Sequence, residues 1–228
     1  MTTPKITIFT LGDYQTNCFI VTTPDSQDCW IVDCGYSPQP LLDSIEKDGL
    51  KPIALLLTHC HSDHMAGVDL ALSRFGPPGP PGTPPGTAGT LPIYVHEAEC
   101  GFCSDPMLNL SGMIGQPVTC SEPDRILKGG ENLDLNGTSW RVVHAPGHSP
   151  GGILFVHDDS NQAIVGDTLF AGSIGRFDFP TSNADALRHT ISEVLMSLPD
   201  DMTIYPGHGP TTTIGAERSS NPYVINGF

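Results

Sequence analysis

The sequence predicts a layered α/β protein, with β-sheets inside and helices outside. Short runs of strand-forming residues alternate with turn residues and a few helical patterns, and these elements come in two successive sets. Sheets and helices in such a sequence bury their apolar faces against one another in layers. Hydrophobic residues make up 38% of the 228 residues and charged residues only 15%, so the chain can form a sizeable core. Intrinsic disorder is therefore excluded for most of its length.

The first set of elements leads into a cluster of polar residues. Strands are predicted at residues 6–10, 18–22, 30–32, 53–57 and 93–95, and helices at residues 41–47 and 68–75. Gly, Asn and Asp turn signals separate the strands. Residues 53–57 (IALLL) form a continuous apolar run, which is typical of a strand that is buried on both faces.

The second set shows the same alternation. Strands are predicted at residues 140–143, 153–156, 163–165 and 203–205, and a helix at residues 185–198. The helix stops before Pro199, because the residue before a proline disfavours the helical conformation. At roughly 100–200 residues per domain, the length suits a single domain that spans residues 1–228.

The composition of residues 76–92, GPPGPPGTPPGTAGTLP, differs from the rest of the chain. Glycine recurs every third residue at Gly76, Gly79 and Gly82, but the next glycine is Gly86, so the collagen period fails at once. The segment therefore predicts a surface loop with polyproline character at residues 76–92.

Charge and cysteine content limit the partners and the compartment. With 10 Lys and Arg against 25 Asp and Glu, the formal net charge is −15, whereas binding to phosphates needs clustered Lys and Arg. We therefore expect no nucleic-acid partner, and no membrane partner, since no stretch approaches the ~20 apolar residues that span a bilayer. The amino terminus shows no secretory signal, and seven cysteines, including Cys100 and Cys103, fit ordinary reduced thiols. The predicted location is the cytoplasm.

The polar cluster, THCHSDH, follows directly on the predicted buried strand. His59 and His61 are two positions apart, so on an extended backbone their imidazoles project to the same side, and the residue between them points into the scaffold. Asp63 and His64 are adjacent and cannot easily converge on the same point as the first pair. The economical solution is two metal ions, one bound by the two histidines and the other by Asp63 and His64.

Three further candidate ligands follow strands in the second half of the chain. His148 lies in the turn PGHSPG, Asp167 follows the strand at 163–165, and His208 lies in PGHGP. Neighbouring Gly and Pro fix these loops and let the backbone approach closely. Imidazole and carboxylate donors suit two divalent ions, with Zn as the expected metal and Fe or Mn also compatible. The other four histidines lack such a setting and are expected to be structural.

Five motifs together resemble the metallo-β-lactamase superfamily, and closely its glyoxalase II (hydroxyacylglutathione hydrolase) branch. They are THCHSDH (58–64), HAPGHSPGG (144–152), GDTLF (166–170), GRFDF (175–179) and YPGHGP (205–210). The resemblance implies an αββα sandwich of two mixed β-sheets flanked by helices, with a two-metal site between the sheets. It also implies the ligands of both ions: His59, His61 and His148 for the first, Asp63, His64 and His208 for the second, and Asp167 as the bridge.

The same resemblance implies a thioester hydrolase. A metal-bridging hydroxide would attack S-lactoylglutathione or a related 2-hydroxyacyl thioester, and Asp63 is the candidate catalytic residue that accepts a proton. A thiolate with a pKa of about 8.5 can leave without a dedicated acid. The chain ends at Phe228, twenty residues after His208, so we expect it to lack the basic carboxyl-terminal helical domain that holds glutathione in the eukaryotic enzymes. It resembles the short bacterial type, and glutathione as the thiol stays open.

Two other reactions are alternatives. Persulfide dioxygenases share the THCHxDH and GRxDF patterns, and the resemblance would place their single iron on His59, His148 and Asp167. They usually carry Ala-His-Asp around the last histidine, where this chain has Gly-His-Gly, which favours the hydrolase. Lactonases are the second alternative, because their metal motif is similar.

Two acidic side chains near the motifs have two interpretations each. Asp33 follows an early strand, where it could orient a ligand histidine or cap a turn. Asp178 and Arg176 in GRFDF could face the substrate or form an internal pair that fixes the loop, and we favour the internal pair.

Overall fold

Two six-stranded sheets form the centre of the molecule. The computed structural model describes residues 3–76 and 91–228. The predicted surface loop at 76–92 therefore lies almost wholly outside the described residues. The elements of the first half are β1 (Lys5–Leu11), β2 (Thr16–Thr22), β3 (Asp28–Val32), α1 (Gln39–Lys47), β4 (Lys51–Leu56), α2 (Ser62–Met65), α3 (Val68–Phe75), β5 (Ile93–His96), a 3₁₀ helix (Glu97–Cys103) and β6 (Arg125–Leu127).

The second half supplies the other sheet and its covering helices. Its elements are β7 (Asn132–Leu135), β8 (Thr138–His144), β9 (Ile153–His157), β10 (Gln162–Gly166), β11 (Leu169–Phe170), β12 (Ser173–Ile174), α4 (Ala184–His189), β13 (Thr203–Pro206), β14 (Thr212–Thr213), α5 (Ile214–Ser220) and α6 (Pro222–Asn226). The predicted helix at 185–198 is helical through Ser197. It consists of α4, a π-helical segment (Thr190–Val194) and a 3₁₀ helix (Leu195–Ser197). None of the described helices is long and apolar enough to cross a bilayer.

Both sheets are mixed. The first has the spatial order β1-β2-β3-β4-β5-β6, with antiparallel pairing from β1 to β3 and parallel pairing from β3 to β6. The second has the order β14-β13-β10-β9-β8-β7, in which only β10 and β13 pair in parallel among the described strands. β11 and β12 form a separate hairpin.

Three apolar layers hold the sheets and helices together. Trp30 and Trp140 lie between the two sheets, with ring centroids 6.0 Å apart. Buried residues of α1 and α3 pack on the outer face of the first sheet, and Leu187 of α4 and Ile214 of α5 pack on the outer face of the second. The order helix, sheet, sheet, helix confirms the predicted αββα sandwich.

The apolar run at 53–57 is buried on two faces, as predicted from its sequence. Leu55 and Leu57 contribute to the layer beneath the helices of the first half. Ala54 and Leu56 contribute to the layer between the sheets. Successive side chains of a strand point to opposite faces, so a strand between two apolar layers needs apolar residues at consecutive positions.

The ends of several strands meet at one edge of the sandwich. The carbonyl of Thr58, just after β4, accepts a hydrogen bond of 2.8 Å from the backbone N–H of Ile153 in the other sheet. The backbone N–H of Gly207 donates to the carbonyl of Gly166 at 2.8 Å, and that of Asn17 donates to the carbonyl of Gly207 at 2.7 Å. The first and the last of these bonds join the two sheets at the edge that carries the candidate ligands.

Candidate metal centre

The THCHSDH segment leaves β4 and enters α2, whose first turn begins after His61. The rings of His59 and His61 lie on the same side, with centroids 4.7 Å apart. Cys60 is fully buried among the apolar residues under α1 and α3. The alternation predicted for these three residues is therefore confirmed.

The turn after β8 and the ends of β10 and β13 bring the other candidates to the same place. His148 Nε2 lies 3.0 Å from His61 Nδ1. The Oδ2 atom of Asp167 lies 3.5 Å from His148 Nε2 and 3.4 Å from His208 Nε2, and its Oδ1 atom lies 3.4 Å from His64 Nε2. Asp167 thus contacts members of both predicted ligand sets.

All seven candidate side chains form one cluster. Donor atoms within 4.8 Å of one another define three groups: His59, His61 and His148; Asp63, His64 and His208; and His59, His64 and Asp167. The first two groups are the two ligand sets that the family resemblance implies. The third links them through Asp167.

The buried donor atoms of this cluster fit a bound cation. In the described part of the chain, His59 Nε2, His64 Nε2 and Asp167 Oδ1 are buried without a hydrogen-bond partner. Each such atom costs about 1–3 kcal/mol unless a partner satisfies it. Imidazole and carboxylate donors suit Zn, Fe or Mn, and these atoms face one another as ligands of a cation would.

In four of the five histidines, an acceptor outside the cluster holds the Nδ1 atom. The Nδ1 atoms are paired as follows: His59 with Thr58 Oγ1 at 3.1 Å, His64 with Asp33 Oδ2 at 2.8 Å, His148 with the Arg176 carbonyl at 2.9 Å, and His208 with the Tyr14 carbonyl at 3.1 Å. An acceptor at Nδ1 fixes the proton there and leaves Nε2 free to bind a metal.

Asp33 supports two parts of the ligand segment at once. Its carboxylate is fully buried and accepts hydrogen bonds from the Thr58 N–H and hydroxyl, each at 2.7 Å, and from His64 Nδ1 at 2.8 Å. The structure thus favours the interpretation in which Asp33 orients a candidate ligand.

Replacing Asp33 with Ala is expected to lower the free energy of unfolding by about 3–5 kcal/mol, because the buried donors of Thr58 and His64 would lose their acceptor. Urea unfolding measures this loss. Asp178→Ala is the matched control, since it removes an aspartate from an exposed ion pair. Equal stability losses in the two variants would contradict the buried role of Asp33.

Glu99 is a buried residue of the site that the motifs did not reveal. Its side chain is fully buried and accepts hydrogen bonds from the backbone N–H of Cys60 at 2.5 Å and of Gly151 at 2.8 Å. Burial raises the pKa of Glu99. The carboxylate joins the segment of His59 and His61 to the turn of His148. Its position in EAEC, within a 3₁₀ helix, gave no signal of this role.

Neighbouring charges determine where protons reside in the metal-free cluster. Burial lowers the pKa of His64, but nearby carboxylates, with Asp63 first, raise it well above its usual value. Burial also lowers the pKa of His208, yet hydrogen bonds with Asp167 and Asp63 raise it to about 10. Burial next to His148 lowers the pKa of His61 to about 3. His64 and His208 therefore hold protons at neutral pH, whereas His61 is neutral.

Loading the metal-free protein with Zn²⁺ at pH 8 is expected to release about two protons per chain, because a histidine must be neutral to bind a metal. One proton would come from His64 and one from His208. Calorimetric titration in buffers of different ionisation enthalpy measures the release. His208→Gln should release one proton fewer, and metal affinity should fall as the pH is lowered. Binding without proton release at pH 8 would contradict this charge distribution.

A cleft of about 380 Å³ opens above the cluster. Its floor includes five of the seven candidate ligands, and its walls are Tyr14, Leu110, Ile114, Phe170, Arg176 and Phe179. The predicted ion pair is present, with Arg176 Nε 2.9 Å from Asp178 Oδ1. The Arg176 guanidinium also lies over the Phe179 ring, 4.3 Å from its centroid. Arg176 thus fixes its loop and also borders the cleft.

Comparison with known sequences identifies related proteins over nearly the whole chain. The family model of the metallo-beta-lactamase superfamily matches residues 11–208. A Bacillus subtilis protein named probable metallo-hydrolase YqgX is 33% identical over 219 residues, which cover 96% of each chain. A Haemophilus influenzae protein named hydroxyacylglutathione hydrolase GloC is 33% identical over 222 residues, which cover 96% of this chain and 98% of that protein.

Two solved structures are similar in sequence and in fold. The BLEG-1 B3 metallo-beta-lactamase aligns with a TM-score of 0.86 and 32% identity, and the alignment covers 96% of this chain and 99% of that one. A structure of TTHA1623 in a di-iron-bound form aligns with a TM-score of 0.79 and 33% identity, covering 95% of this chain and 99% of that one.

Proposed function

The chain belongs to the metallo-beta-lactamase superfamily and is a metallo-hydrolase, and we propose that it hydrolyses thioesters at a binuclear metal centre. S-lactoylglutathione and related 2-hydroxyacyl thioesters are the proposed substrates. The convergence of seven imidazole and carboxylate side chains in one cluster, five of which line a single cleft, is the observation that carries this proposal. The relative named hydroxyacylglutathione hydrolase adds support for the thioester.

We assign the ligands by their grouping in the structure. His59, His61 and His148 would hold one ion, Asp63, His64 and His208 the other, and Asp167 both. Two bound divalent ions would lower the pKa of water to about 7 and stabilise negative charge on a carbonyl oxygen. Zn is the proposed metal, and Fe is the main alternative because one similar structure is described as di-iron-bound. The donor set is also compatible with Mn.

Asp63 is the proposed proton acceptor. Its Oδ2 atom lies 3.2 Å from His208 Nε2 and accepts a hydrogen bond of 3.0 Å from the Thr16 hydroxyl. Burial raises the pKa of Asp63, but His64 and His208 bring it to about 2, so the carboxylate is ionised at neutral pH. An Asp63→Asn variant with full metal content and an unchanged pH profile of hydrolysis would contradict this role.

The walls of the cleft suit a thiolate leaving group. Outside the candidate ligands, the ionisable side chains of its described lining are Tyr14 and Arg176, and Arg176 is paired with Asp178. A thiol with a pKa of about 8.5 leaves as the thiolate without a strong acid. An amine or alcohol would need a proton donor at the same point.

We also propose that the protein acts in the cytoplasm on a small-molecule thioester. All seven cysteines are free thiols, and five of them are buried. Reduced thiols are typical of proteins in a reducing compartment. Fractionation of cells that express the protein, followed by thiol labelling, tests this location, and recovery of disulfide-bonded protein from an oxidising compartment would contradict it.

The test of function combines metal analysis with two assays on the purified protein. We expect two metal ions per chain and hydrolysis of S-lactoylglutathione that is lost on chelation and restored by Zn²⁺. Oxygen uptake with glutathione persulfide by protein that holds one iron would contradict the hydrolase and support the dioxygenase. Loss of the thioesterase activity in His59→Ala, with the fold intact by circular dichroism, would link the activity to the cluster.

β-Lactam hydrolysis is a second candidate, because the BLEG-1 structure at 32% identity is described as a B3 metallo-beta-lactamase. A chromogenic cephalosporin assayed beside the thioester separates the two reactions. The thioester assignment requires the larger kcat/KM for the thioester.

A further inference from the structure

We propose that Leu110 and Ile114 form a subsite for the acyl group of the substrate, and that this subsite selects thioesters with an aliphatic acyl chain longer than lactoyl. The inference rests on the proposed thioesterase function and specifies its substrate class. The two residues lie in the segment between the 3₁₀ helix Glu97–Cys103 and β6, and both line the cleft that His61 also lines.

The cleft is apolar on this side. Leu110, Ile114 and Phe179 all line the cleft, and the Phe179 ring packs against the His61 ring with centroids 5.5 Å apart. Ile114 is 46% exposed although it is apolar. An exposed apolar residue in the lining of a reactive cleft is suited to contact with an apolar ligand.

The backbone of Leu110 is held in an unfavourable conformation. Its φ is 70°, in the left-handed region that side chains rarely adopt, and such strain costs about 1–3 kcal/mol. The fully buried Asn109 maintains it: its side-chain amide donates to the carbonyls of Phe102 and Val118, each at 2.9 Å. Strain that the surrounding structure enforces beside a reactive centre indicates a functional constraint.

The same network ties Leu110 to the ligand segment. The carbonyl of Asn109 accepts a hydrogen bond of 2.9 Å from the backbone N–H of Ser62. The Asn109 side-chain oxygen accepts from the hydroxyl of Ser111 at 2.6 Å. The apolar wall is therefore fixed relative to His61 and Asp63, as a subsite for a group attached to the reacting carbonyl must be.

The charge of the cleft contributes little to the recognition of an anionic thiol such as glutathione. In its described lining, Arg176 is the single Lys or Arg side chain, and Asp178 already pairs with it. Glutathione carries two carboxylates, and the chain has a net charge of −15. Biological thiol carriers are polar, so an apolar wall matches the acyl part of the thioester.

The test uses thioesters of one neutral thiol, N-acetylcysteamine, with lactoyl, 2-hydroxyhexanoyl and 2-hydroxyoctanoyl groups. For the holoenzyme we expect kcat/KM to rise at least about tenfold from the shortest to the longest chain, because each buried methylene contributes favourably to binding. Leu110→Gly should remove this rise, chiefly through KM. Glycine accepts the φ of 70° without strain, so this variant should keep its fold and its metals. Met107→Gly is the matched control, because Met107 lies in the same segment, is 61% exposed and is not part of the cleft.

A binding measurement tests the subsite independently of the hydrolysis. Calorimetry with the free 2-hydroxy acids of the same three lengths should show tighter binding of the longer acids to the holoenzyme, and Leu110→Gly should abolish the difference. Hydrolysis with equal kcat/KM for all chain lengths, or equal effects of Leu110→Gly and Met107→Gly, would overturn the subsite while leaving the thioesterase intact. Absence of hydrolysis with chain-length-dependent binding would overturn the thioesterase and retain the apolar subsite. Absence of both would overturn both.

Discussion

Replacing Asp167 with Asn is expected to lower kcat/KM for the thioester about 1,000-fold, equivalent to about 4 kcal/mol of transition-state stabilisation. The carboxylate contacts both proposed ligand sets, through Oδ1 to His64 and Oδ2 to His148 and His208. Asparagine has one acceptor oxygen and no charge, so it cannot serve both sets. Metal analysis should show fewer than two ions per chain, and steady-state kinetics measures the loss.

Asp178→Asn is the control for this substitution. It changes the same functional group near the same cleft, but in an exposed pair with Arg176. We expect it to keep both metals and a kcat/KM close to that of the parent. Two tightly bound metals together with nearly full activity in Asp167→Asn would contradict the bridging role.

A strand buried on both faces is predictable from its sequence, whereas of the edge strands β1, β6 and β7 only β1 is predicted. β4 reads as an apolar run because it lies between two apolar layers. β6 and β7 were missed, since each lies at an edge of its sheet and two or more of its residues are exposed or half-buried. Such strands depend on backbone pairing with a neighbouring strand, and the local pattern of side chains does not predict that pairing.

Helix α5 shows the same limit for helices. Its sequence, IGAERSS, contains few strong helix formers. A long-range contact stabilises it: the buried Glu217 accepts a hydrogen bond of 2.8 Å from the backbone N–H of Gly172, 45 positions away. Tertiary contacts therefore replace propensity in this helix.

The candidate ligands were predictable, whereas most residues that hold them were not. His59 and His61 can be recognised as candidate ligands from their residue type, their spacing and their position after a strand. Glu99 bonds to Cys60, 39 positions away, and to Gly151, 52 positions away. Nothing in the sequence around Glu99 records those distances, so only the folded chain identifies it. For Asp33, the position after a strand allows two interpretations, the orientation of a ligand histidine and the capping of a turn. Its hydrogen bond with His64 favours the first.

Gly207→Ala is expected to lower both metal content and hydrolysis, with a loss of about 100-fold in kcat/KM, because displacements of about 1 Å at a reactive centre have effects of this size. A Cβ atom at Gly207 would lie 2.1 Å from Asp167 Oδ1 and 2.7 Å from His64 Cε1. The Gly207 backbone cannot retreat, since its N–H and carbonyl are bonded to Gly166 and Asn17. The two side chains must move instead, and metal analysis with steady-state kinetics detects the result.

Gly209→Ala separates this steric effect from a change in backbone freedom. Gly209 has a φ of 75°, and a Cβ atom there would have no neighbour within 4 Å. Alanine at that position should cost about 1–2 kcal/mol of stability through backbone strain, while leaving Asp167 and His64 in place. Urea unfolding should therefore detect the change at Gly209 and metal analysis the change at Gly207. The contrary result is that Gly207→Ala retains both metals and shows the same activity as Gly209→Ala. That result would contradict the requirement for close backbone approach at Gly207, because the cluster would then tolerate displacement of Asp167 and His64.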